Sequence, residues 1–534
     1  MSRDLFAREA LAQIPKILTL LDRNPHSPTY GCFDRNFWHY KIIDFPSGMA
    51  QEFVWPLALA YEVNLPDNPY YQQPMLREWV EAGILYAAHT AHPDGSCDDY
   101  FPFERAAGAA AFSLLAGIES YILLGLMDYE ALKFFERRAN WLANHYESGQ
   151  LSNHEALIIL CLERLGQLLQ TSKWRRTIAT RLERLLSWQS SEGWFKEYEG
   201  CDPGYHTLTI SILAQLDHLK PDNRLKDVLS KAVELAANFI HPDGSYGGEY
   251  ASRNTYNFFP HGFELVGLWL PDALRINDQF LQGLKKGLAP CYGDDHIIGH
   301  HTWNYLLAWQ DFIPERPQPM PRDVGSIWLQ EAHILIKRRP GFELYIALNK
   351  GGVFKLFDQE NLLGSDTHLS LQVRQGRKLK NAVSHLMDSY QVKVEQDEIT
   401  IEGQLGWAKQ TQMSPIKLIL LRVVMLTFGR FFPNLIRKLL QKMLITGKQP
   451  APFRFKRNFK WENNQWKIKD ELYSASWKGV TSAGIGSDQT SIYVVMSRTF
   501  QSGQLQPWLD LTPEIKKLSM GQCLKIERSF NKSN

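Results

Sequence analysis

Asn153 and His154 stand side by side at the head of the apolar run LSNHEALIIL (151–160). Tyr205 and His206 stand the same way at the head of GYHTLTISIL (204–213), with Tyr205 fifty-one residues after His154. Amide and imidazole donors at a helix start suit an anion, because the first backbone N–H groups are unpaired and the helix dipole is positive there. A phenol or imidazole beside them can pass a proton, the phenol more readily where a neighbouring cation favours the phenolate. These residue types therefore point to proton transfer next to a bound anion. Taken singly each has a plainer use: Asn153 makes a good helix N-cap, and a lone His is more often a satisfied interface residue.

The elements that must bring such residues together repeat along the chain. HPDGS occurs at 92–96 and again at 241–245, with SSEGW between them at 190–194. The turn glycines Gly48, Gly95, Gly149, Gly193, Gly244 and Gly293 step by 47, 54, 44, 51 and 49 residues, which predicts six similar units. Each turn is followed by an apolar segment with helical spacing: FVWPLALAYEV, FERAAGAAAFSLLAGI, HEALIILCLERLGQLL, YHTLTISILAQLDHL, HGFELVGLWL and HTWNYLLAWQDF. Between them lie amphipathic, charged segments such as PDNRLKDVLSKAVELAANFI, which read as an outer layer with one wet face. The expected fold is an (α/α)6 toroid, complete or with a unit missing. In such a barrel all inner helices start at one end. Glu104, Asn153 and His154, Tyr205 and His206, His261 and Glu264, and His300, His301 and Asn304 would then converge on one cleft. The loop RNTYN (253–257) adds Arg253, Asn254 and Tyr256.

After the Pro-rich stretch DFIPERPQPMPRDVG (311–325) the pattern changes to short alternating segments, including FELYIALNK, GGVFKLFD, LSLQVRQG, SIYVVMSRTF and QCLKIERSF. These predict an antiparallel β-sandwich. The expected layout is a helical domain over 1–315, a linker over 316–325 and a sandwich over 326–534. One segment interrupts the sandwich. From Gly403 to Trp461 there are twelve Lys and Arg and no Asp or Glu. Its core reads as one or two basic amphipathic helices at about 411–447, broken near Pro433. Such a helix suits an anionic membrane surface, or else packs on the sandwich with its charges in solvent.

Composition narrows the classes. A net charge of +2 gives no footprint for nucleic acid. The six Cys include no CxxC pair, which fits free thiols in a reducing compartment and gives no zinc motif. The charged N-terminus lacks a signal-peptide core and no run of eighteen apolar residues occurs. The expected location is the cytoplasm, or the periphery of the inner membrane face.

A toroid followed by a sandwich, with Asn153-His154 at one helix start and Tyr205-His206 at the next, resembles the heparinase II/III and alginate-lyase-like polysaccharide lyases. The resemblance covers most of the chain in architecture. It implies a polysaccharide lyase that cleaves a uronate-containing acidic polysaccharide by β-elimination, with no metal and no cofactor. It implies Tyr205 as the proton donor, or as both acid and base, with Asn153 and His154 stabilising the substrate carboxylate. His154, His206 and Tyr256 are the candidate proton partners. Arg253, Asn254, Tyr256, His261, Glu264, His301 and Glu104 are the expected substrate-binding residues. An HxHxD-like motif that many members carry early in the sandwich is absent; the nearest segment is GSDTHLSLQVRQG, with Asp366, His368 and Arg374. Two other readings stay open. A toroid glycoside hydrolase would draw two carboxylates from Asp98, Asp99, Glu104, Glu155, Asp202 and Glu264. A non-catalytic polyanion-binding protein linked to exopolysaccharide production would need none.

Overall fold

The computed structural model describes residues 3–147, 150–197, 200–291, 293, 296–319, 321–408, 412–441, 448–487 and 499–530. The helical part comprises α1 (Asp4–Leu11), α2 (Ile14–Leu20), α3 (Arg35–Trp38), α4 (Val54–Glu62), α5 (Pro74–Thr90), α6 (Ala107–Leu123) and α7 (Tyr129–Asn144). It continues with α8 (Ser152–Leu168), α9 (Arg175–Leu186), α10 (Pro203–Leu219), α11 (Asn223–Ala236), α12 (His261–Gly267), α13 (Asp272–Lys285) and α14 (Ile297–Gln310). Among the described residues, α4, α6, α8, α10, α12 and α14 pack neighbour to neighbour, and α14 returns to α4. The inner ring is therefore closed, so the toroid is complete. The α5, α7, α9, α11 and α13 helices, together with α1, lie outside it.

The sequence explains the two layers. Inner helices such as α6 are buried along nearly their whole length, and α6 is rich in Ala and Gly, so its neighbours approach closely. Outer helices such as α11 and α13 bury one stripe, Leu225, Leu229, Ala232 and Val233 in α11. The turns that feed the inner layer share one construction. Gly95, Gly193 and Gly244 have φ of +90°, +96° and +89°, and each sits against the backbone of a following outer helix where a Cβ would collide. The same close approach in the first unit is made by Gly31, against Ala82 of α5, rather than by Gly48. Gly149 of the expected series lies outside the described residues.

The chain leaves the helices after Gln310 and begins its first strand at Gly325. Arg316 in this connection is tied to Glu264 and Asp278, and Arg322 to Glu343 and the Ile240 carbonyl. Strands β1 (Gly325–Leu329), β2 (Ile334–Arg339), β3 (Phe342–Ala347), β4 (Val353–Asp358) and β5 (Asn361–Asp366) form an antiparallel meander. The remaining strands are β6 (Leu369–Gln375), β7 (Lys378–Val383), β8 (Gln391–Val394), β9 (Glu398–Ala408), β10 (Pro450–Glu462), β11 (Gln465–Ser474), β12 (Val480–Ile485), β13 (Leu509–Asp510) and β14 (Leu524–Phe530). They make a second antiparallel sheet in the order β13-β12-β6-β7-β9-β10-β11-β14, with β8 paired to β9. The segment SIYVVMSRTF falls largely on 491–498, outside the described residues.

The central strands β3 and β4 of the first sheet are buried on both faces. Leu335, Leu344 and Ile346 pack with the second sheet, whereas Ile334, Ile336, Tyr345 and Phe357 join the core of the helical domain. The two domains therefore share one packed boundary. Between β9 and β10, helices α15 (Pro415–Leu426) and α16 (Pro433–Gln441) form the interruption read from the sequence.

Asp366 and His368, the residues nearest to the missing family motif, lie in a buried charge network of the β domain. Asp366 pairs with Arg457 at 3.0 Å and Arg528 at 2.6 Å, and Arg457 also grips Asp470 at 2.6 Å. Both aspartates are held below the ordinary carboxylate range by these guanidinium groups, against the cost of burial. Arg374 is exposed at the end of β6. Removing one partner from a buried network leaves an uncompensated charge, which costs about 3–5 kcal/mol. Arg457→Met should lower the stability of the sandwich by about that amount in denaturant unfolding.

Candidate functional site

Helix α8 starts at Ser152, and its N-cap position is Leu151. Asn153 thus sits inside the first turn and does not cap; its Nδ2 donates to Glu197 Oε2 at 2.9 Å. Glu197 lies just before α10, and its other oxygen accepts from Arg253 Nη1 at 2.6 Å. The Arg253 guanidinium in turn lies 4.1 Å from the centre of the Tyr205 ring. Three separate stretches, 153, 197–205 and 253, are thereby joined in one buried cluster. The Glu197 carboxyl is pushed up to about 7, chiefly by burial, against the pull of Arg253 and His154.

Local sequence fixes Tyr205. Asp202 caps α10 by accepting from the Tyr205 backbone N–H at 2.9 Å, and Pro203 fits the first helical position, where no N–H is needed. Thr255 donates to Asp202 at 2.8 Å, which pins the loop RNTYN over the start of α10. Gly204 packs against Thr255 with no room for a side chain. Asn254 takes φ +63°, and Tyr256, beside it, lies under the ammonium of Lys355 of β4, 4.4 Å from the ring centre. Lys355 also pairs with Glu249 at 3.3 Å, and Lys350, following β3, reaches the Glu249 and Ala251 carbonyls. Burial lowers Lys350 to about 8. The first sheet thus supplies two cations to the loop that carries Arg253.

His154 lies against a second cluster. Its Nδ1 donates to Glu147 Oε2 at 2.7 Å, and its ring occupies the space above Gly108 of α6, where any Cβ would collide with it. Arg437 of α16 bridges Glu147 and Glu104, the latter at 2.9 Å. The two carboxyls respond oppositely. Glu147 is held down to about 2 by His154 and Arg437, overcoming its burial, whereas burial pushes Glu104 up to about 7 despite Arg437. Glu104 also accepts from the Tyr100 and Asp99 backbone N–H groups.

The other expected residues lie elsewhere. His206 is turned to the outer layer, where Nε2 donates to the Ala232 carbonyl at 2.9 Å, and burial lowers it to about 4. Consecutive residues on a helix point about 100° apart, so Tyr205 and His206 do not share a face. His261 and Glu264 are displaced because residues 251–260 form a buried loop, and α12 begins only at His261. His261 is therefore level with the middle of α14, donating its backbone N–H to Asn304, and its ring reaches Asp311 beyond the end of that helix. Glu264, fully buried, pairs with Arg316 at 2.7 Å and accepts from Asn277 Nδ2 at 2.8 Å, an anchor for the domain connection. His301 is buried 4.0 Å from the Tyr305 ring and lowered to about 3. His300 pairs with Glu52 at 3.0 Å and stacks on Phe112, whose edge meets His154.

Sequence reasoning missed Glu147, Glu197 and Arg437. Glu147 and Glu197 precede the helix starts by a few residues, so a reading confined to those starts passes over them. Arg437 is one of twelve cations in an acid-free stretch, with nothing local to single it out. Among the described residues no group of three His, Cys, Asp or Glu is arranged to hold a metal ion.

No family model matches the sequence, and neither does any curated protein. Solved structures do. The chain is similar to the chondroitin AC lyase of Streptomyces coelicolor A3 in complex with chondroitin sulphate, at 11% identity over 91% of this chain and 68% of that one, with a TM-score of 0.52. It is similar to a Paenibacillus xanthan lyase at 10% identity over 91% of this chain and 47% of that one, with a TM-score of 0.51. The chain thus spans about half the length of the xanthan lyase. The resemblance read from Asn153, His154 and Tyr205 is met at the level of the fold, a helical toroid followed by an antiparallel β domain.

The raised Glu197 has a measurable consequence. Unfolded, its carboxyl ionises near 4.5; folded, near 7. Between these values the folded chain holds the extra proton, so this residue's contribution to stability falls as pH rises through that window and stays reduced above it. Glu197→Gln lacks that loss. Its melting temperature relative to the native chain should therefore increase from about pH 5 to about pH 8, as read by calorimetry at both values.

Proposed function

We propose that this chain is a polysaccharide lyase that cleaves a uronate-containing acidic polymer by β-elimination at the Asn153–Tyr205–Arg253 cluster. The carrying observation is the Arg253 guanidinium 4.1 Å from the Tyr205 ring centre, linked through Glu197 to Asn153. The fold likeness to two such lyases supports the class.

The proton to be removed sits on C5 of a uronate, α to its carboxylate. Removing it drives charge onto the carboxylate oxygens, which must meet donors already in place. Asn153 and Arg253 are the donors of this cluster, and His154, close enough to act on Glu197 electrostatically, adds charge from the neighbouring one. Glu197 is the positioning residue that orients Asn153 and Arg253. As the C5–H bond breaks, its electron pair forms the C4=C5 double bond and the C4–O bond breaks, the leaving oxygen taking up a proton. Tyr205 takes the first proton and returns one to the leaving oxygen. Arg253 stabilises the negative charge that passes through the phenol oxygen, and the buried setting strengthens that interaction. Lys350 and Lys355 hold the loop that carries Arg253 in place.

Hydrolysis is the second reading, and one observation favours it. Glu104 and Glu147 share Arg437 yet ionise about 7 and about 2, the kind of split that acid and base carboxylates show. The other carboxylates named from sequence are committed to structure: Asp98 to the Phe103 and Arg105 backbone, Asp99 to Ser47, Glu155 to Arg181, Asp202 to its helix cap and Glu264 to Arg316.

Elimination leaves an unsaturated sugar that absorbs near the ultraviolet edge, and hydrolysis does not. On a panel of uronate polymers, the native chain should give rising absorbance. Tyr205→Phe should reduce the rate by on the order of a hundredfold or more with little change in binding, while His206→Gln stays close to native. Reducing ends released without absorbance would favour hydrolysis at Glu104 and Glu147. Binding without turnover, indifferent to Tyr205→Phe, would favour a polyanion-binding protein.

A further inference from the structure

Helices α15 and α16 are fastened to the toroid along one side. Met425 and Ile436 are buried against Phe101, Arg422 pairs with Asp44 at 3.0 Å, and Arg437 reaches Glu104 and Glu147. The opposite side is apolar and uncovered. Ile416, Ile419, Leu420 and Val423 of α15 are 79%, 62%, 62% and 51% exposed. Their spacing of three and four residues puts them on one helix face. Phe431, 66% exposed, and Leu439, 55% exposed, add uncovered apolar side chains on either side of the break at Pro433. Singly exposed apolar residues are ordinary, but a contiguous group of this kind marks a docking surface.

Charge decides what docks there. Lys417, Arg430 and Lys438 are exposed among these side chains, and no acidic partner is found for them among the described residues. The whole segment from Gly403 to Trp461 holds no Asp or Glu. A protein partner or a second copy of this chain would be selected by mixed charge, and this chain is close to neutral overall, at +2. Apolar side chains flanked only by cations match the headgroup and acyl boundary of an anionic bilayer, where the rings and alkyl groups enter and the cations stay at the phosphates. Among the described residues no helix is long and apolar enough to cross a membrane, so the geometry is that of a helix pair lying in the surface plane.

We propose that α15 and α16 dock this protein onto an anionic lipid surface. The docked pair is the same one that sends Arg437 into the cleft, so docking holds the cleft beside the membrane and limits its polymer to chains presented there. Lipid binding is read without turnover, so this inference stands or falls separately from the proposed chemistry.

The test is co-sedimentation of the full chain with vesicles of phosphatidylcholine alone and of phosphatidylcholine with about one third phosphatidylglycerol. The native protein should bind the mixed vesicles, bind the neutral ones far less, and lose binding with added salt. Ile419→Asp with Val423→Asp, both at exposed positions, should weaken binding at least about tenfold while circular dichroism and melting stay native. Lys417→Ala with Lys438→Ala should weaken it on the order of tenfold or more at low salt. Failure of the native chain to bind mixed vesicles would overturn the proposal, as would binding that ignores the aspartate substitutions. A dimer at micromolar concentration that Ile419→Asp dissociates would reassign the face to self-association.

Discussion

The paired hydrogen bonds of Glu197 are the interaction on which the buried cluster depends. Its two oxygens hold an amide from α8 and a guanidinium from the loop before α12, and the guanidinium lies on a ring from α10. A buried carboxyl with only one such partner would be an expensive defect. With both, it fixes three units of the toroid relative to one another, and burial pushes its titration up to about 7. The helical repeat supplies the scaffold, but Glu197 turns three neighbouring helix starts into one constellation.

The rest of the molecule supports that arrangement from two sides. The first β-sheet is buried against the toroid on one face and the second sheet on the other, which makes it a wall of the helical domain. From that wall Lys350 and Lys355 brace the loop carrying Arg253. From the other side α16 sends Arg437 between Glu104 and Glu147, closing the cluster around His154. Both domains therefore contribute side chains to these clusters, although the central residues belong to the toroid.

Part of this architecture is legible in the amino-acid pattern. Gly95, Gly193 and Gly244 mark three of the units because each takes a positive φ where its turn closes on an outer helix, whereas Gly48 and Gly293 do not, and the alternation of apolar and amphipathic segments separates the two layers. Asn153 and Tyr205 stand out because their order, spacing and helix context agree. His206 misleads because adjacency in sequence means divergence on a helix. His261 and Glu264 mislead because the fifth unit spends residues 251–260 on a buried loop, which lowers α12 in the barrel, so a polar residue at its start meets Asp311 and Arg316 instead of the cleft.

The sequence by itself determined the toroid, the change to antiparallel strands after the Pro-rich stretch, the acid-free interruption, and Asn153, His154, Tyr205 and Arg253 as the residues worth watching. These are readable because periodicity, turn chemistry and composition are local properties. Only the tertiary structure decided that the ring closes, that Glu197 joins Asn153 to Arg253, that Arg437 crosses from the β domain to Glu147, and that α15 leaves an apolar face uncovered. The first three are contacts between residues tens to hundreds of positions apart, and the last is the lack of such a contact; packing between distant segments decides all four, and no local pattern encodes it.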